Sequence, residues 1–392
     1  MSAMGTGYAE RDVYGGDHTD FAGSVAGFLR QEVSPRVAEF ERAGMVPREI
    51  YRAAGRLGLV GLQIPEEFGG GGQQGFLFNC VVTEQVAYQR ATMGSLRVHT
   101  DVVTPYLLTL ATPDQRRRWL PGMAAGDLMT SIAMTEPGAG SDLAGIGTSL
   151  RRRRGDWVLN GSKTFITGGA QSDLILVVAR SEEAADRRHG LTLAVVEATM
   201  PGFTRGAPLE KLGLRAQDTT ELFFDDITVP AENILGEPGQ AFGYLSAHLA
   251  QERLSIAVNS QAQAVAALEL TCAYVRERRV FGSVLGGFQN TKFVLAELAT
   301  QIGAGQALVD RAMRRHEAGR LTPAEAAQVK LFCTELHGRV VDACLQLHGG
   351  YGYTWEQDIC RMYADARVAR IYGGTSEVMK AIVARTLDLV PR

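Results

Sequence analysis

The period of the apolar residues changes twice along this chain, and that double change restricts the fold more than any other feature. From 21 to 40 the apolar residues Phe21, Val25, Phe28, Leu29, Val33, Val37 and Phe40 recur at helical spacing, with Pro35 marking a kink or a second start. Helical patterning dominates to about Met123: Pro47 and Pro113 stand where helices begin, and 76–90 is apolar enough for a buried helix. Near Asp127 the period drops to two. Residues 156–159 and 162–166 flank Asn160-Gly161, a pair that favours a tight hairpin turn, and 173–179, 190–197 and 221–228 complete a set of antiparallel strand candidates. After Pro230 the helical period returns in 240–279, 291–319, 323–347 and 356–371, joined by short connections as in an up-and-down bundle. The expected fold is mostly α with a central β domain. Its parts are a loose N-terminal tail (1–20), an N-terminal helical domain (21–126), a middle β domain (127–235) and a C-terminal helix bundle (236–392).

A net charge of -3 lacks the basic excess of a nucleic-acid binder, so that partner class is set aside. Five scattered cysteines, with no C-x-x-C pair, suggest neither a disulfide framework nor a zinc site and fit a reducing cytosol. The first twenty residues carry Glu10, Asp12, Asp17 and Asp20, which matches neither a secretory signal nor an Arg-rich transit peptide. No apolar run approaches bilayer length, so no membrane association and a cytoplasmic location are expected.

Common catalytic signatures are missing: there is no G-x-S-x-G, no G-x-x-x-x-G-K-[ST] and no H-E-x-x-H. Gly70, Gly72 and Gly75 satisfy G-x-G-x-x-G, but the strand-then-helix context of a dinucleotide site is absent, and a surface loop is expected. Arg151 to Arg154 read as a solvated strand end. His337 and His348 are too far apart to pair on one helical face, so no metal site is expected. Two stretches remain. In R-I-Y-G-G-T-S-E-V-M-K (370–380), Gly373 and Gly374 can take positive φ and bring main-chain N–H groups to a ligand, and Thr375 or Ser376 can cap a new helix; on this stretch alone a plain helix-turn-helix corner is the favoured reading. In A-M-T-E-P-G-A-G-S-D-L-A-G (133–145), small residues admit a flat or phosphorylated ligand and Thr135 and Ser141 supply hydroxyls, although alone this could be a loop.

Together with Q-L-H-G-G-Y-G-Y (346–353) and I-Y-G-G-T (371–375), that second stretch resembles the acyl-CoA dehydrogenase family, over nearly the whole chain from about Phe21 to Leu389. The resemblance implies a helical domain, a β domain and a four-helix bundle, assembled as a homotetramer with one non-covalent FAD per subunit. It implies that Met134, Thr135, Gly140 and Ser141 line the flavin edge and that Phe165 and Thr167 pack on and hydrogen-bond the isoalloxazine. Arg278, Phe281 and Gln289, with Gln346, Gly349 and Gly350, resemble positions that hold a neighbouring subunit's FAD; Phe281 also reads as plain bundle core. Thr375 and Glu377 would meet the ribityl-pyrophosphate, while Ser141, Arg253, Tyr372 and Gly374 would meet the acyl-CoA substrate.

In the family's medium- and short-chain members the base is a glutamate directly after I-Y, and here that place is Gly373. In the long-chain and isovaleryl branches the base lies on a bundle helix in a segment resembling Q-E-R-L, which this chain has at Gln251-Glu252-Arg253-Leu254. Glu252 is the expected base, its pKa raised by desolvation; its other reading is one face of an ion pair with Arg253. Gly373 keeps a main-chain N–H for the thioester oxygen. The implied reaction is FAD-dependent α,β-dehydrogenation of an acyl-CoA to the trans-2-enoyl thioester, with electrons passed to electron-transfer flavoprotein. The alternatives are a flavin monooxygenase on the same fold, a dehydrogenase of carrier-protein thioesters, or a non-catalytic binding subunit. Residues 94–109 are expected to line an acyl tunnel, with Arg97, His99 and Asp101 facing a polar substrate tail or solvent.

Overall fold

A computed structural model describes residues 11–181, 187 and 189–389. Six helices come first: α1 (Gly16–Phe28), α2 (Val37–Ala43), α3 (Arg48–Arg56), α4 (Leu77–Tyr88), α5 (Thr104–Leu110) and α6 (Pro113–Ala125). Pro35 sits in a tight turn between α1 and α2, as a residue that cannot donate to an α-helical ladder should. Pro113 opens α6 behind a Thr112–Gln115 capping box. Of the expected loose tail, residues 1–10 lie outside the described part, and 11–20 are not loose. The Arg11 guanidinium, buried, meets Glu84 at 2.7 Å and Asp310 at 2.5 Å, and Val13 and Tyr14 are buried behind it. A guanidinium with two carboxylates can leave water where an unpaired one could not.

The β domain is one sheet of β1 (Thr130–Ala133), β2 (Ser149–Arg153), β3 (Asp156–Thr167), β4 (Leu174–Arg180), β5 (Leu191–Glu197), β6 (Phe203–Arg205), β7 (Thr219–Val229) and β8 (Ile234–Leu235). Its order is β6-β7-β3-β2-β4-β5-β8, with β1 beside β4. The sheet is not wholly antiparallel: β1 runs parallel to β4 in the register Thr130↔Leu174. Nor is Asn160-Gly161 a turn. It lies inside β3, where the register to β7 shifts, and the Asn160 side chain exchanges two hydrogen bonds of 2.9 Å with Asp226. The hairpin turn is Arg154-Gly155, whose φ values of 54° and 99° are the pair that a twisted two-residue turn needs. Residues 151–153 precede it as an exposed strand end. The Gly70–Gly75 stretch is an irregular loop bonded to main chain at Gly61 and Leu62.

The bundle consists of α7 (Ala241–Glu277), α8 (Gln289–Glu317), α9 (Pro323–His348) and α10 (Asp358–Ala366), followed by α11 (Ser376–Ala384). The expected fourth helix is shorter than its pattern, since residues 367–370 tighten into a 3₁₀ turn. α7 and α9 run side by side in one direction: Tyr274 and His348 stack at 4.2 Å at their far ends. Separate clusters of buried residues fill the helical domain, the sheet and the bundle interior.

Candidate active site

Glu252 lies on α7 where the helix passes the N-terminal domain, 7% exposed. The Tyr106 hydroxyl donates to its Oε1 at 3.1 Å, and the Tyr106 ring packs 4.2 Å from His248. Burial pushes the Glu252 carboxyl up to about 7, against the opposing pull of the Tyr106 hydroxyl and the Arg253 charge. Among the described residues Glu252 makes no ion pair, because neighbours in a helix point about 100° apart and Arg253 projects elsewhere. Arg253 is itself buried with its Nε lacking a hydrogen-bond partner.

One turn beyond Glu252, Ile256 reaches under the glycine break. Gly373 and Gly374 have φ of 63° and 97°, and a Cβ at 373 would lie 2.4 Å from Ile256 Cδ1. A side chain at 373 therefore meets both strain and collision, which accounts for glycine where a carboxylate could otherwise stand. The break is clamped from α9. Lys330, fully buried, donates through Nζ to the Gly374 carbonyl, and Glu335 accepts from Ser376 Oγ at 2.6 Å and from Arg370 at 3.4 Å. Burial and the nearby Arg253 bring the Lys330 ammonium down to about 8, with Glu335 opposing. The Thr375 hydroxyl caps α11, accepting from Val378 N at 3.3 Å, so it has a structural duty beside any ligand contact.

The sheet supplies a second wall. Lys163, with no exposed surface, donates to the Met134 carbonyl at 3.0 Å and to Glu136 at 2.8 Å, and Glu136 also accepts from Gly147 N and Thr148 N. This buried pair pins the loop after β1, fixing Met134 and Thr135 beside Thr164 and leaving Gly140 and Ser141 exposed. Phe165 is 65% exposed at φ 58°, an open aromatic face held in a conformation that L-residues rarely take. Two residues on, the Thr167 hydroxyl accepts from Gln217 at 3.4 Å. An exposed ring, hydroxyls at 135, 141 and 167, and open space around Gly140, where a Cβ would have no neighbour within 4 Å, form a donor set that fits a flat, phosphorylated cofactor.

The remaining sequence candidates lie elsewhere. The Arg278 guanidinium sits 5.5 Å from the Tyr351 ring beside Gly349 and Gly350, and Gln289 and Gln346 are exposed. Phe281, on the tip of a small hairpin, is 97% exposed and so is not bundle core. At 1.5 Å per residue along α7, Arg278 lies about 39 Å from Glu252, so these six residues lie far from Glu252 within one subunit.

Sequence reasoning did not find Tyr106, Lys330 or the Glu136–Lys163 pair, whose side chains meet only through packing of distant segments. It also left His99 and Asp101 to a polar tail or solvent, and both are buried within the protein. His99 Nδ1 pairs with Thr130 Oγ1 at 3.1 Å, while Asp101 accepts from Asn79, Thr100 and Ser255. Among the described residues no group of His, Cys, Asp or Glu could hold a metal ion, and no helix is long and apolar enough to cross a membrane.

The N-terminal, middle and C-terminal domains of acyl-CoA dehydrogenases match residues 16–127, 131–227 and 239–387. The chain is 45% identical over 379 residues to the long-chain specific acyl-CoA dehydrogenase, mitochondrial, of Rattus norvegicus, covering 96% of this chain and 88% of that one. It superposes on the crystal structure of acyl-CoA dehydrogenase from Geobacillus kaustophilus with a TM-score of 0.95 at 42% identity, covering 97% of this chain and 100% of that one. A glutaryl-CoA dehydrogenase from Mycobacterium smegmatis in complex with FADH2 gives a TM-score of 0.88 at 27% identity, over 96% and 95% of the two chains.

Proposed function

This chain belongs to the acyl-CoA dehydrogenase family and is an acyl-CoA dehydrogenase enzyme, and from that premise we propose that it oxidises a long-chain acyl-CoA to the trans-2-enoyl thioester with Glu252 as base. One observation carries the assignment: the carboxyl beside the glycine break is buried, and its pKa is raised to about 7. A carboxylate in that range can take a weakly acidic proton near neutral pH. Glu252 removes the α proton, and the β hydrogen leaves with its electron pair as the double bond forms. FAD, when bound, supplies the acceptor for that hydride. Met134, Thr135, Gly140, Ser141, Phe165 and Thr167 would hold its ring system, and Thr375 and Glu377 its ribityl-pyrophosphate. The Gly373 N–H donates to the thioester oxygen as charge gathers there, with Tyr372, Gly374, Arg253 and Ser141 placing the thioester and its CoA.

The long-chain preference is supported by the name of the rat relative and by the base position on α7. Assembly as a homotetramer is supported by Phe281, almost wholly exposed, and by the separation of Arg278, Gln289, Gln346, Gly349 and Gly350 from Glu252 in one subunit; these residues would complete a neighbour's FAD site. Electron-transfer flavoprotein is the proposed electron acceptor. Five unpaired cysteines support residence in a reducing cytoplasm. Anaerobic titration of the purified flavoprotein with straight-chain acyl-CoAs tests the reading. Loss of visible flavin absorbance at about one equivalent, with an enoyl thioester two hydrogens lighter, is expected; flavin that responds to an external reductant but to no acyl thioester contradicts it.

A further inference from the structure

A cavity of about 90 Å3 opens where α4, the segment before α5, α7 and α9 meet, with Tyr372 in its wall next to the glycine break. Apolar and polar groups share its lining: the N-terminal domain contributes Val82, Met93 and Leu96 together with Arg97 and Thr100, and the bundle contributes the polar side chains of Asn259, Gln263 and His337 beside Arg361 and Asp365. Ile256 on α7 and Lys330 on α9 both meet the Gly373 loop, and Asn259, three residues beyond Ile256, stands about 4.5 Å past it. The two helices run in one direction, so Gln263, seven residues beyond Ile256, and His337, seven beyond Lys330, share a level about 10 Å past that loop. That is a distance which the extended chain of an acyl group, entering past Tyr372, would cover.

The polar side has spare hydrogen-bonding capacity. His337 is 3% exposed with neither ring nitrogen partnered, although a buried polar group that is not hydrogen-bonded is costly. Asn259 and Gln263 are half-buried and make no side-chain hydrogen bond among the described residues. Burial and the nearby Arg370 hold the His337 imidazole down at about 3, so it remains neutral, with one donor and one acceptor. Two amides and a neutral imidazole match an uncharged oxygen that both donates and accepts. The cations that line the cavity are engaged elsewhere: Arg97 points its Nη1 at the Ser255 carbonyl 3.5 Å away, next to the buried Asp101, Arg361 pairs with Asp358 at 3.0 Å and Glu41 at 3.6 Å, and Arg215 lies 5.3 Å from the Trp355 ring.

We propose that Asn259, Gln263 and His337 form a polar subsite for the far part of the acyl chain, selecting an acyl-CoA that carries a hydroxyl or keto oxygen there over a plain hydrocarbon chain. This rests on the dehydrogenase reading and adds the substrate's second recognition point. The test uses the FAD-loaded enzyme and a length series of ω-hydroxyacyl-CoAs, each beside the unsubstituted acyl-CoA and the ω-carboxyacyl-CoA with the same number of carbons. At the length that reaches the cavity, kcat/KM should favour the hydroxylated chain by at least about tenfold, and calorimetric Kd values for the matching trans-2-enoyl products should follow. In an Asn259→Leu/Gln263→Leu variant that ratio should fall below about twofold; being a ratio within one protein, it is insensitive to general damage. Equal or better use of the plain chain at every length, a preference for the carboxylate, or a ratio unchanged in the variant would overturn the subsite and leave the dehydrogenase reading standing. Inertness towards every acyl thioester would overturn both.

Discussion

The Tyr106 hydroxyl donates to Glu252 at 3.1 Å, and it favours the ionised carboxyl against the burial that opposes it. Removing it in Tyr106→Phe leaves desolvation less opposed, so the Glu252 pKa should rise by about one unit. Because the proposed base acts deprotonated, kcat/KM should fall severalfold at pH 6 and recover towards that of the parent enzyme at pH 9, with the acidic limb of the pH profile displaced to higher pH. An unchanged profile would mean that the phenol does not govern this carboxyl.

The same carboxyl leaves a mark on stability. Its folded pKa of about 7 lies above the usual 4.5, so between those values the folded state binds more protons than the unfolded state. The stabilisation is full below about pH 4.5 and is lost as pH rises through 7. Glu252→Gln, which cannot ionise, should therefore gain stability relative to the parent as pH rises, by on the order of 2–3 kcal/mol at pH 8 against little at pH 4.5. Urea unfolding at the two pH values measures the difference.

At the glycine break, Gly373→Ala must adopt positive φ and place its Cβ against Ile256. A loss of roughly 1–3 kcal/mol in thermal or urea unfolding is expected. Ile256→Val removes the colliding Cδ1, so the double variant should regain the steric part of that loss and not the backbone part. Additive effects would show that Ile256 does not press on this loop.

Arg11 provides a test at the other end of the chain. Arg11→Met leaves Glu84 and Asp310 without the buried cation they share, a change that should cost about 3–5 kcal/mol. Deleting a loose segment would cost almost nothing, so a urea midpoint unchanged in the variant would contradict the packing of residues 11–20.

How much of this was legible in the sequence follows from how far each signal reaches. The double change of period and the caps at Pro113 and Pro323 are local, and each element formed where its own residues direct it. Asn160-Gly161 is just as local a signal, yet Asn160 is committed to Asp226, 66 residues away, and the turn moved to Arg154-Gly155. A hydrogen bond across that separation leaves no trace in a short window. Glu252 was readable as a motif, whereas Tyr106 and Lys330 act on the site only through the packing of α5 and α9 on its two sides. The tail was misjudged at Arg11 because its acidity was visible and its carboxylate partners, on α4 and α8, were not.

Phe281 bears on assembly. With 97% of its surface exposed in one chain, Phe281→Ala should leave unfolding of the isolated chain almost unchanged. If the ring seats on a neighbour's FAD, the variant should lose cofactor on dilution and show a subunit dissociation constant at least about tenfold higher, as expected when an aromatic anchor is removed from an interface. Sedimentation and the ratio of visible to ultraviolet absorbance read the two quantities. Unaltered values of both would place the ring in solvent.

The central claim is that the buried carboxyl of Glu252 takes the substrate's α proton. Anaerobic mixing of the Glu252→Gln protein with a long-chain acyl-CoA tests it most directly, because glutamine preserves the size of the side chain and the approach of Tyr106 while removing the base. The variant should retain FAD and bind the thioester, yet its flavin absorbance should not bleach, and the substrate's α hydrogens should not exchange with deuterium oxide. Bleaching at the rate of the parent enzyme would contradict it.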